Sequence, residues 1–89
     1  MKRILVTGAA GQVGTELVPA LRAIYGVDAV LATDLRRPDS GALLDGPFET
    51  LDCTDGSAIS AAVARHGADA VYHLAALLSA ATPGAPHDR

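Results

Sequence analysis

The segment Thr7-Gly8-Ala9-Ala10-Gly11-Gln12-Val13-Gly14, directly after the apolar run Ile4-Leu5-Val6, decides the fold. The run is typical of a short buried strand, and the glycines are typical of a tight turn from a strand into a helix. Gly8 permits the turn, Gly11 lets a phosphate approach the backbone, and Gly14 lets the helix pack closely on the strand. The segment therefore predicts a nucleotide-pyrophosphate site, because the N–H groups and dipole of a helix N-terminus attract anions.

The spacing of these glycines is Gly-x-x-Gly-x-x-Gly and not the commoner Gly-x-Gly-x-x-Gly, so an ordinary flexible turn explains them equally well. The position of Asp34 favours the nucleotide site. This residue lies 20 positions after Gly14 at the end of the second predicted strand, where the dinucleotide fold places an acid that binds the ribose hydroxyls. A strand-end turn residue is the alternative for Asp34. Its carboxylate would repel a 2′-phosphate, which favours NAD over NADP, although Arg36 and Arg37 would partly offset the repulsion.

Composition points to one small α/β domain. The chain has 89 residues, and 49% are hydrophobic but only 3% aromatic, so the core must consist of Ala, Val, Leu and Ile, as in helices packed on a parallel sheet. The net charge of −3 and the scattered basic residues argue against nucleic acid as a partner. The single Cys53 suits a reducing compartment, and the apolar runs are too short for a signal peptide or a membrane span. We therefore expect a cytoplasmic protein without a membrane partner.

The pattern of apolar and turn-forming residues predicts the order strand, helix, strand, loop, strand, helix, strand. The predicted strands are residues 3–7, 28–34, 48–52 and 70–74, and the predicted helices are residues 12–25 and about 55–66. Right-handed crossovers then give an α/β fold, a partial Rossmann fold with a parallel sheet of four strands in the order 3-2-1-4 and flanking helices. A ligand is expected over the carboxyl ends of the strands.

Helical spacing predicts which faces of the two helices pack on the sheet. These faces are Val13, Leu17, Leu21 and Ile24 in the first helix and Ile59, Ala62, Val63 and His66 in the second. Pro19 is expected to kink the first helix without ending it. The expected caps are Gly26 at the end of the first helix, Thr54 or Asp55 at the start of the second, and Gly67 at its end.

Several runs beyond the glycine segment carry a family resemblance. They are Asp34-Leu-Arg-Arg-Pro, Gly46-Pro-Phe-Glu, Leu51-Asp52 and Tyr72-His-Leu-Ala-Ala-Leu-Leu-Ser-Ala80. Together these runs resemble the amino-terminal part of the short-chain type of L-threonine 3-dehydrogenases, within the extended short-chain dehydrogenase and NAD-dependent epimerase/dehydratase superfamily. The resemblance covers residues 2–81 and implies an NAD-dependent oxidoreductase that, in its complete form, converts threonine to 2-amino-3-ketobutyrate.

The resemblance also implies roles for particular residues along a bound NAD. It places Gly8, Gly11, Gln12 and Val13 at the pyrophosphate, Asp34, Leu35 and Arg36 at the adenosine side, Asp52 and Cys53 at the adenine, Leu74, Ala75 and Ala76 along the cofactor, and Ser79 at the substrate. Alternative interpretations are a helix-start residue for Ser79, a small buried hydrophobe for Cys53 and a hydrogen-bonded packing residue on a buried strand for His73. No metal site is expected, because no second ligand-type residue stands at metal-binding spacing beside His73.

The family's catalytic Tyr-x-x-x-Lys pair cannot form in this sequence. Lys2 is the only lysine, and Tyr25 and Tyr72 are followed four positions later by Ala29 and Ala76. We therefore assign no catalytic residue, and we expect the family's catalytic Ser or Thr and its substrate domain beyond residue 89. The expected organisation is an NAD-binding Rossmann half-domain over residues 1–81 and a disordered tail over residues 82–89.

Two other functions remain open from the sequence. The glycine motif and Asp34 would serve a fragment of an NAD-dependent sugar-nucleotide epimerase or dehydratase equally well, and the missing Tyr-Lys pair favours a dinucleotide-binding module without catalysis. In each case the expected partner is a dinucleotide, with a small-molecule substrate only in a complete enzyme. Self-association is also expected, because the fourth strand would present an uncovered apolar edge.

Overall fold

The computed structural model describes residues 2–39 and 41–74 of the chain. Within them the elements follow the predicted order: β1 Ile4–Thr7, α1 Gln12–Tyr25, β2 Val30–Asp34, β3 Phe48–Thr50, α2 Gly56–His66 and β4 Ala70–His73. The predicted disordered tail, residues 82–89, and the last part of the predicted domain lie outside the described residues.

The four strands form one parallel sheet in the order β3-β2-β1-β4, which confirms the predicted fold class and strand order. Ile4 of β1 lies opposite Val30 of β2 on one side and opposite Ala70 of β4 on the other. All four residues of β1 are buried, as predicted for a central strand covered on both faces. Since the strands are parallel, their carboxyl ends meet at one edge of the sheet, which is where a Rossmann fold binds its ligand.

The pleat of β1 divides the core into two layers. Ile4 and Val6 face α1 and pack with a cluster that includes Val18 and Leu21. Leu5 points to the opposite face and packs with Ala62 of α2. The helices therefore cover opposite faces of the sheet, as alternating side-chain directions in a strand require.

Strand boundaries are shorter than the sequence predicted. Residues 28 and 29 belong to a 3-10 turn, Val27–Ala29, in which Ala29 N donates to Gly26 O at 3.2 Å, so β2 begins at Val30. At their other ends β3 stops at Thr50 and β4 at His73. These differences lie at strand ends, and they leave Asp34 as the last residue of β2.

The predicted sheet-facing side of α1 is confirmed for Leu17 and Leu21, which pack on the core, and is wrong for the first and last of its four residues. Val13 is 41% exposed and Ile24 is 70% exposed. The buried residues of this helix are Gly14, Val18, Leu21 and Arg22. The helix continues through Pro19 without a break, as predicted. The helix is therefore rotated about its axis relative to the prediction because of the contacts on its buried side, and not because of a break.

The buried guanidinium of Arg22 explains this rotation. It donates to four backbone carbonyl oxygens: Val30 O at 3.1 Å, Leu43 O at 2.8 Å, Pro47 O at 2.7 Å and Ala42 O at 3.3 Å. Three of these carbonyls belong to the connection between β2 and β3, which includes a 3-10 turn at Ala42–Asp45. Arg22 thus fixes that connection against α1, and burial lowers the pKa of its guanidinium while Asp45 and Asp28 oppose the shift.

The predicted helix caps are confirmed. Gly26 has φ 108° and donates its N–H to Arg22 O at 2.9 Å. Asp55, and not Thr54, caps α2 by accepting Ala58 N at 3.2 Å, and Gly67 ends α2 with φ 69°. On the sheet-facing side of α2, Ala62 is buried with Ile59 and Val63 packed against the same cluster, whereas His66 bonds Ala29 O through Nε2 at 3.0 Å.

Candidate dinucleotide-binding site

The glycine segment forms the predicted turn between β1 and α1. Gly8 has φ 71°, a conformation that residues with a Cβ rarely adopt, so glycine is required there by its backbone. Gly11 has ordinary extended angles and serves as the N-cap of α1, and its N–H donates to Gly8 O at 3.2 Å. The two glycines therefore act differently: Gly8 makes the turn, and Gly11 begins the helix.

Gly14 is required because a neighbouring backbone leaves no room for a side chain. A Cβ built on Gly14 would lie 2.1 Å from the carbonyl oxygen of Ala9. The sequence predicted close packing at this position against the strand, and the structure places the contact on the turn that follows the strand. This contact brings the first turn of α1 directly beside the end of β1.

The N-terminus of α1 is suited to an anion. No side chain caps it, and its first turn contains no acidic residue. The N–H groups of such a turn have no partner within the helix, and the helix dipole gives them a partial positive charge. Gln12 and Val13, both exposed, are the first two residues of this turn.

Asp34 lies at the carboxyl end of β2 and contacts the glycine turn directly. Its Oδ2 accepts Ala10 N at 2.9 Å, and its Oδ1 accepts Leu35 N at 2.7 Å. The structure thus brings together the two features that the sequence separated by 20 residues. The neighbouring Leu35 is 65% exposed although it is apolar, and Arg36 is exposed as well.

Asp52 and Cys53 follow β3 at the same edge of the sheet. Asp52 Oδ1 accepts both Thr54 Oγ1 at 2.6 Å and Thr54 N at 2.9 Å. These bonds, the side-chain bond first, lower the pKa of the exposed Asp52 carboxyl. Cys53 is only half-buried, so it is not the fully buried small hydrophobe that was the alternative for it.

The ends of β1 and β4 are joined by a side-chain contact. Thr7 Oγ1 and His73 Nδ1 lie 3.3 Å apart, so His73 is hydrogen-bonded as predicted, but it is exposed and not on a buried strand. Leu74 is buried in the cluster beneath α1. The remaining predicted site residues, Ala75, Ala76 and Ser79, lie outside the described residues.

One residue of this site, and one buried residue elsewhere on α1, were missed from the sequence. Ala10 joins the turn to Asp34 through its backbone N–H, which no sequence pattern distinguishes. Arg22 could have been found, because it follows Gly14 and Val18 at intervals of four and therefore shares their face of α1.

Residues 2–39 and 41–74 contain no group of three His, Cys, Asp or Glu side chains arranged to hold a metal ion. The helices in this part of the chain are also too short or too polar to cross a membrane.

This chain is similar in sequence and fold to parts of several known proteins. An uncharacterized epimerase/dehydratase of Staphylococcus saprophyticus is 54% identical over 81 residues, which cover 90% of this chain and 25% of the relative. The L-threonine dehydrogenase of Clostridium difficile is 38% identical with a TM-score of 0.77, covering 82% of this chain and 23% of that one. The holo form of a GalE-like L-threonine dehydrogenase from Cupriavidus necator is 40% identical with a TM-score of 0.78, covering 96% and 27%.

The chain thus spans about a quarter of the length of the curated relative and of both solved structures. The model of the NAD dependent epimerase/dehydratase family matches residues 4–84, from β1 to beyond the last described strand. With the Rossmann strand order and the glycine turn, this match establishes that the chain belongs to the NAD-dependent epimerase/dehydratase family.

Proposed function

We propose that this chain is the NAD-binding part of an oxidoreductase whose complete form converts L-threonine to 2-amino-3-ketobutyrate. The observation that carries the cofactor assignment is the contact between the Asp34 carboxylate and the glycine turn, 2.9 Å from Oδ2 to Ala10 N. It places a carboxylate that can bind ribose hydroxyls directly beside a helix N-terminus that can bind phosphates.

The residues present fit a dinucleotide. The uncapped first turn of α1, beginning at Gln12 and Val13, offers N–H donors to the pyrophosphate. Gly8 and Gly11 form the turn along which the phosphates would lie, and Asp34 accepts hydrogen bonds from the adenosine ribose. The position of its carboxylate favours NAD over NADP, since a 2′-phosphate would meet a negative charge there.

The adenosine and nicotinamide sides are assigned to the neighbouring strand ends. The exposed apolar side chain of Leu35 offers a surface for the adenine ring. The family resemblance assigns Arg36, Asp52 and Cys53 to the same adenosine end of the cofactor. The resemblance assigns Leu74, Ala75 and Ala76 to the cofactor and Ser79 to the substrate. These four roles rest on the family resemblance of residues 72–80.

When bound, NAD supplies the acceptor for a hydride from the substrate. This chain binds and orients that cofactor: α1 holds the phosphates, and Asp34 fixes the adenosine end. The proton of the substrate hydroxyl would go to a Tyr-x-x-x-Lys pair, which residues 1–89 do not contain. The chain therefore contributes the binding of the cofactor, and the proton acceptor of the reaction is not among its residues.

Threonine is favoured as the substrate by two observations. Both solved relatives described above are threonine dehydrogenases, and the runs Asp34-Leu-Arg-Arg-Pro and Leu-Leu-Ser-Ala at residues 77–80 resemble that group. A sugar nucleotide is the second candidate, because the 54% identical Staphylococcus relative is named an epimerase/dehydratase.

Calorimetric titration of the purified chain with NAD, NADP and a UDP-sugar tests the cofactor assignment. We expect NAD to bind more tightly than NADP, Asp34→Ala to weaken NAD binding, and Asp39→Ala, which removes another exposed carboxylate, to leave it unchanged. No binding of NAD at millimolar concentration would overturn the assignment, and tighter binding of the UDP-sugar would favour the sugar-nucleotide function.

The identity of the substrate is tested separately, with a protein extended by the coding sequence that follows residue 89 in the DNA. A Tyr-x-x-x-Lys motif in any frame would supply the missing pair, and the protein expressed from the joined reading frame should reduce NAD with L-threonine. Activity with UDP-sugars and none with threonine would overturn the choice of substrate while leaving the cofactor assignment intact.

A further inference from the structure

The N–H groups of the glycine turn are themselves bonded within the protein. Ala9 N donates to Thr33 O at 2.9 Å, and Gly11 N donates to Gly8 O at 3.2 Å. Between them, Ala10 N donates to Asp34 Oδ2 at 2.9 Å. Two of these three acceptors belong to the last two residues of β2, so the end of β2 holds the turn in its conformation.

The Asp34 carboxylate is held by the same contacts. Its second oxygen, Oδ1, accepts Leu35 N at 2.7 Å, so both oxygens are fixed by backbone N–H groups. A carboxylate has about four lone-pair sites, and these two bonds leave others for the hydroxyls of a ligand. Asp34 can therefore bind a ribose without releasing Ala10.

We infer that Asp34 is a positioning residue for the phosphate-binding turn in addition to its proposed contact with the ribose. Through Ala10 it sets the path of the turn that leads into α1, and hence the direction of the N–H groups of Gln12 and Val13. This inference rests on the proposed function for the identity of the ligand, whereas the contact with Ala10 exists without any ligand.

The positioning role and simple electrostatics predict opposite effects on phosphate binding. A carboxylate beside a phosphate site repels the anion, so its removal alone should tighten binding. If Asp34 positions the turn, its removal should instead weaken the binding of a phosphate ligand that has no ribose. Inorganic pyrophosphate is such a ligand.

The first experiment measures the turn in the ligand-free chain by NMR. In Asp34→Ala we expect faster hydrogen exchange and an upfield amide proton shift at Ala10, because its charge-assisted bond is lost. The Ala9 amide, whose acceptor is the Thr33 carbonyl, serves as the internal control. Asp34→Asn keeps the shape of the side chain but only one of its two acceptor oxygens, so it provides a second variant if Asp34→Ala does not fold.

The second experiment measures the dissociation constant of inorganic pyrophosphate for the same variants. We expect Asp34→Ala to weaken binding by about threefold to tenfold, as the loss of one positioning hydrogen bond would. The matched control is Asp39→Ala, which removes the same charge from an exposed residue and should leave binding unchanged or slightly tighter.

An unchanged Ala10 amide, or pyrophosphate binding that stays the same or tightens in Asp34→Ala, would overturn the positioning role. If the wild-type chain binds neither pyrophosphate nor NAD, the proposed function fails, and the Ala10 amide alone then decides whether Asp34 positions the turn. If NAD binding weakens in Asp34→Ala while pyrophosphate binding does not, Asp34 is only a ribose ligand.

Discussion

The carbonyl oxygen of Ala9 occupies the space that a side chain on Gly14 would need, only 2.1 Å from the position of its Cβ. We predict that Gly14→Ala lowers the free energy of unfolding by about 2 kcal/mol or more, since backbone displacement outweighs the gain of about 1 kcal/mol in helix propensity. It should also weaken NAD binding, because the start of α1 must move away from Ala9 in the loop between β1 and α1. Urea denaturation and calorimetry measure the two effects.

Gly56 provides the matched control for this variant. It is the first residue of α2, and a Cβ built on it meets nothing within 4 Å. Gly56→Ala should leave the chain as stable as the wild type or more stable by up to about 1 kcal/mol. An equal loss of unfolding free energy in the two variants would show that the contact with Ala9 does not make Gly14 more sensitive to substitution than Gly56.

We predict that Arg22→Ala is strongly destabilising. It removes a buried guanidinium and takes one donor from each of the four carbonyl groups of residues 30, 42, 43 and 47, of which Pro47 O keeps the N–H of Ala32. It also opens a space beside Gly46. Losing several buried hydrogen bonds at once should cost about 3 kcal/mol or more. Arg22→Lys should recover only part of this, because one ammonium cannot reproduce the planar set of donors.

Arg65 is the control for the removal of an arginine. It pairs with Glu49 on the surface, where both side chains are well exposed. Arg65→Ala should cost no more than about 1 kcal/mol. Urea midpoints of the three variants, compared at one pH, rank the two arginines, and a similar loss at both positions would contradict the role assigned to Arg22.

The sequence predicted those parts of the molecule that local patterns determine. The order of apolar runs and turn residues along the chain is sufficient for the strand order, and the glycines with Asp34 are sufficient for the edge of the sheet where a ligand would bind. Caps such as Asp55 and Gly67 were equally predictable, because they depend on a few consecutive residues.

The buried side of α1 was predicted only in part. Leu17 and Leu21 pack on the core and Gly14 packs closely, as expected. Val13 and Ile24 fit a helical stripe but are exposed. The burial of Arg22 was missed, because its partners are carbonyls of residues 42–47, far from it in the sequence. Hydrophobic spacing cannot register a backbone contact or a cation satisfied by carbonyl groups. The contact between Ala10 and Asp34 was missed for the same reason.

Asp52 should make the stability of the chain depend on pH in acid. Its bonds with Thr54 lower the pKa of its carboxyl in the folded state below the unfolded value of about 3.9. The contribution is therefore complete above the unfolded pKa and is lost as the pH falls through the folded pKa. Urea midpoints measured across the acid range should show this loss in the wild type, and Asp52→Asn should remove it.

The cause of that shift can be tested through Thr54→Ala. This variant removes the hydroxyl donor but keeps the backbone N–H, so the pKa of Asp52 should rise towards its ordinary value. Asp69 is the internal reference, since its lowered pKa comes mainly from the Arg3 N–H, at 2.9 Å from Oδ1. NMR titration of the carboxyl carbons should show a higher pKa for Asp52 in the variant than in the wild type, and the same pKa for Asp69 in both.

The chain should self-associate. Among the described residues β4 pairs with β1 alone, and Tyr72 on β4 is 37% exposed. Val13 and Ile24 add exposed apolar surface on α1. Val13 also lines a groove on this helix together with Leu17 and Ala20. An uncovered strand edge and an apolar helix flank both favour contacts with another copy. Sedimentation velocity should therefore show concentration-dependent oligomers.

Two lysine substitutions test which of these two surfaces, the edge of β4 or the exposed side of α1, forms the contact between copies. Tyr72→Lys should reduce association more than Ile24→Lys if the edge of β4 forms the contact, and the reverse order would assign it to α1. Ala23→Lys adds the same charge to an exposed neighbouring position on α1 and should have little effect. A wild-type chain that sediments as a single monomer and unfolds cooperatively would contradict self-association. The chain would then be a stable isolated domain despite the exposed side chains on β4 and α1.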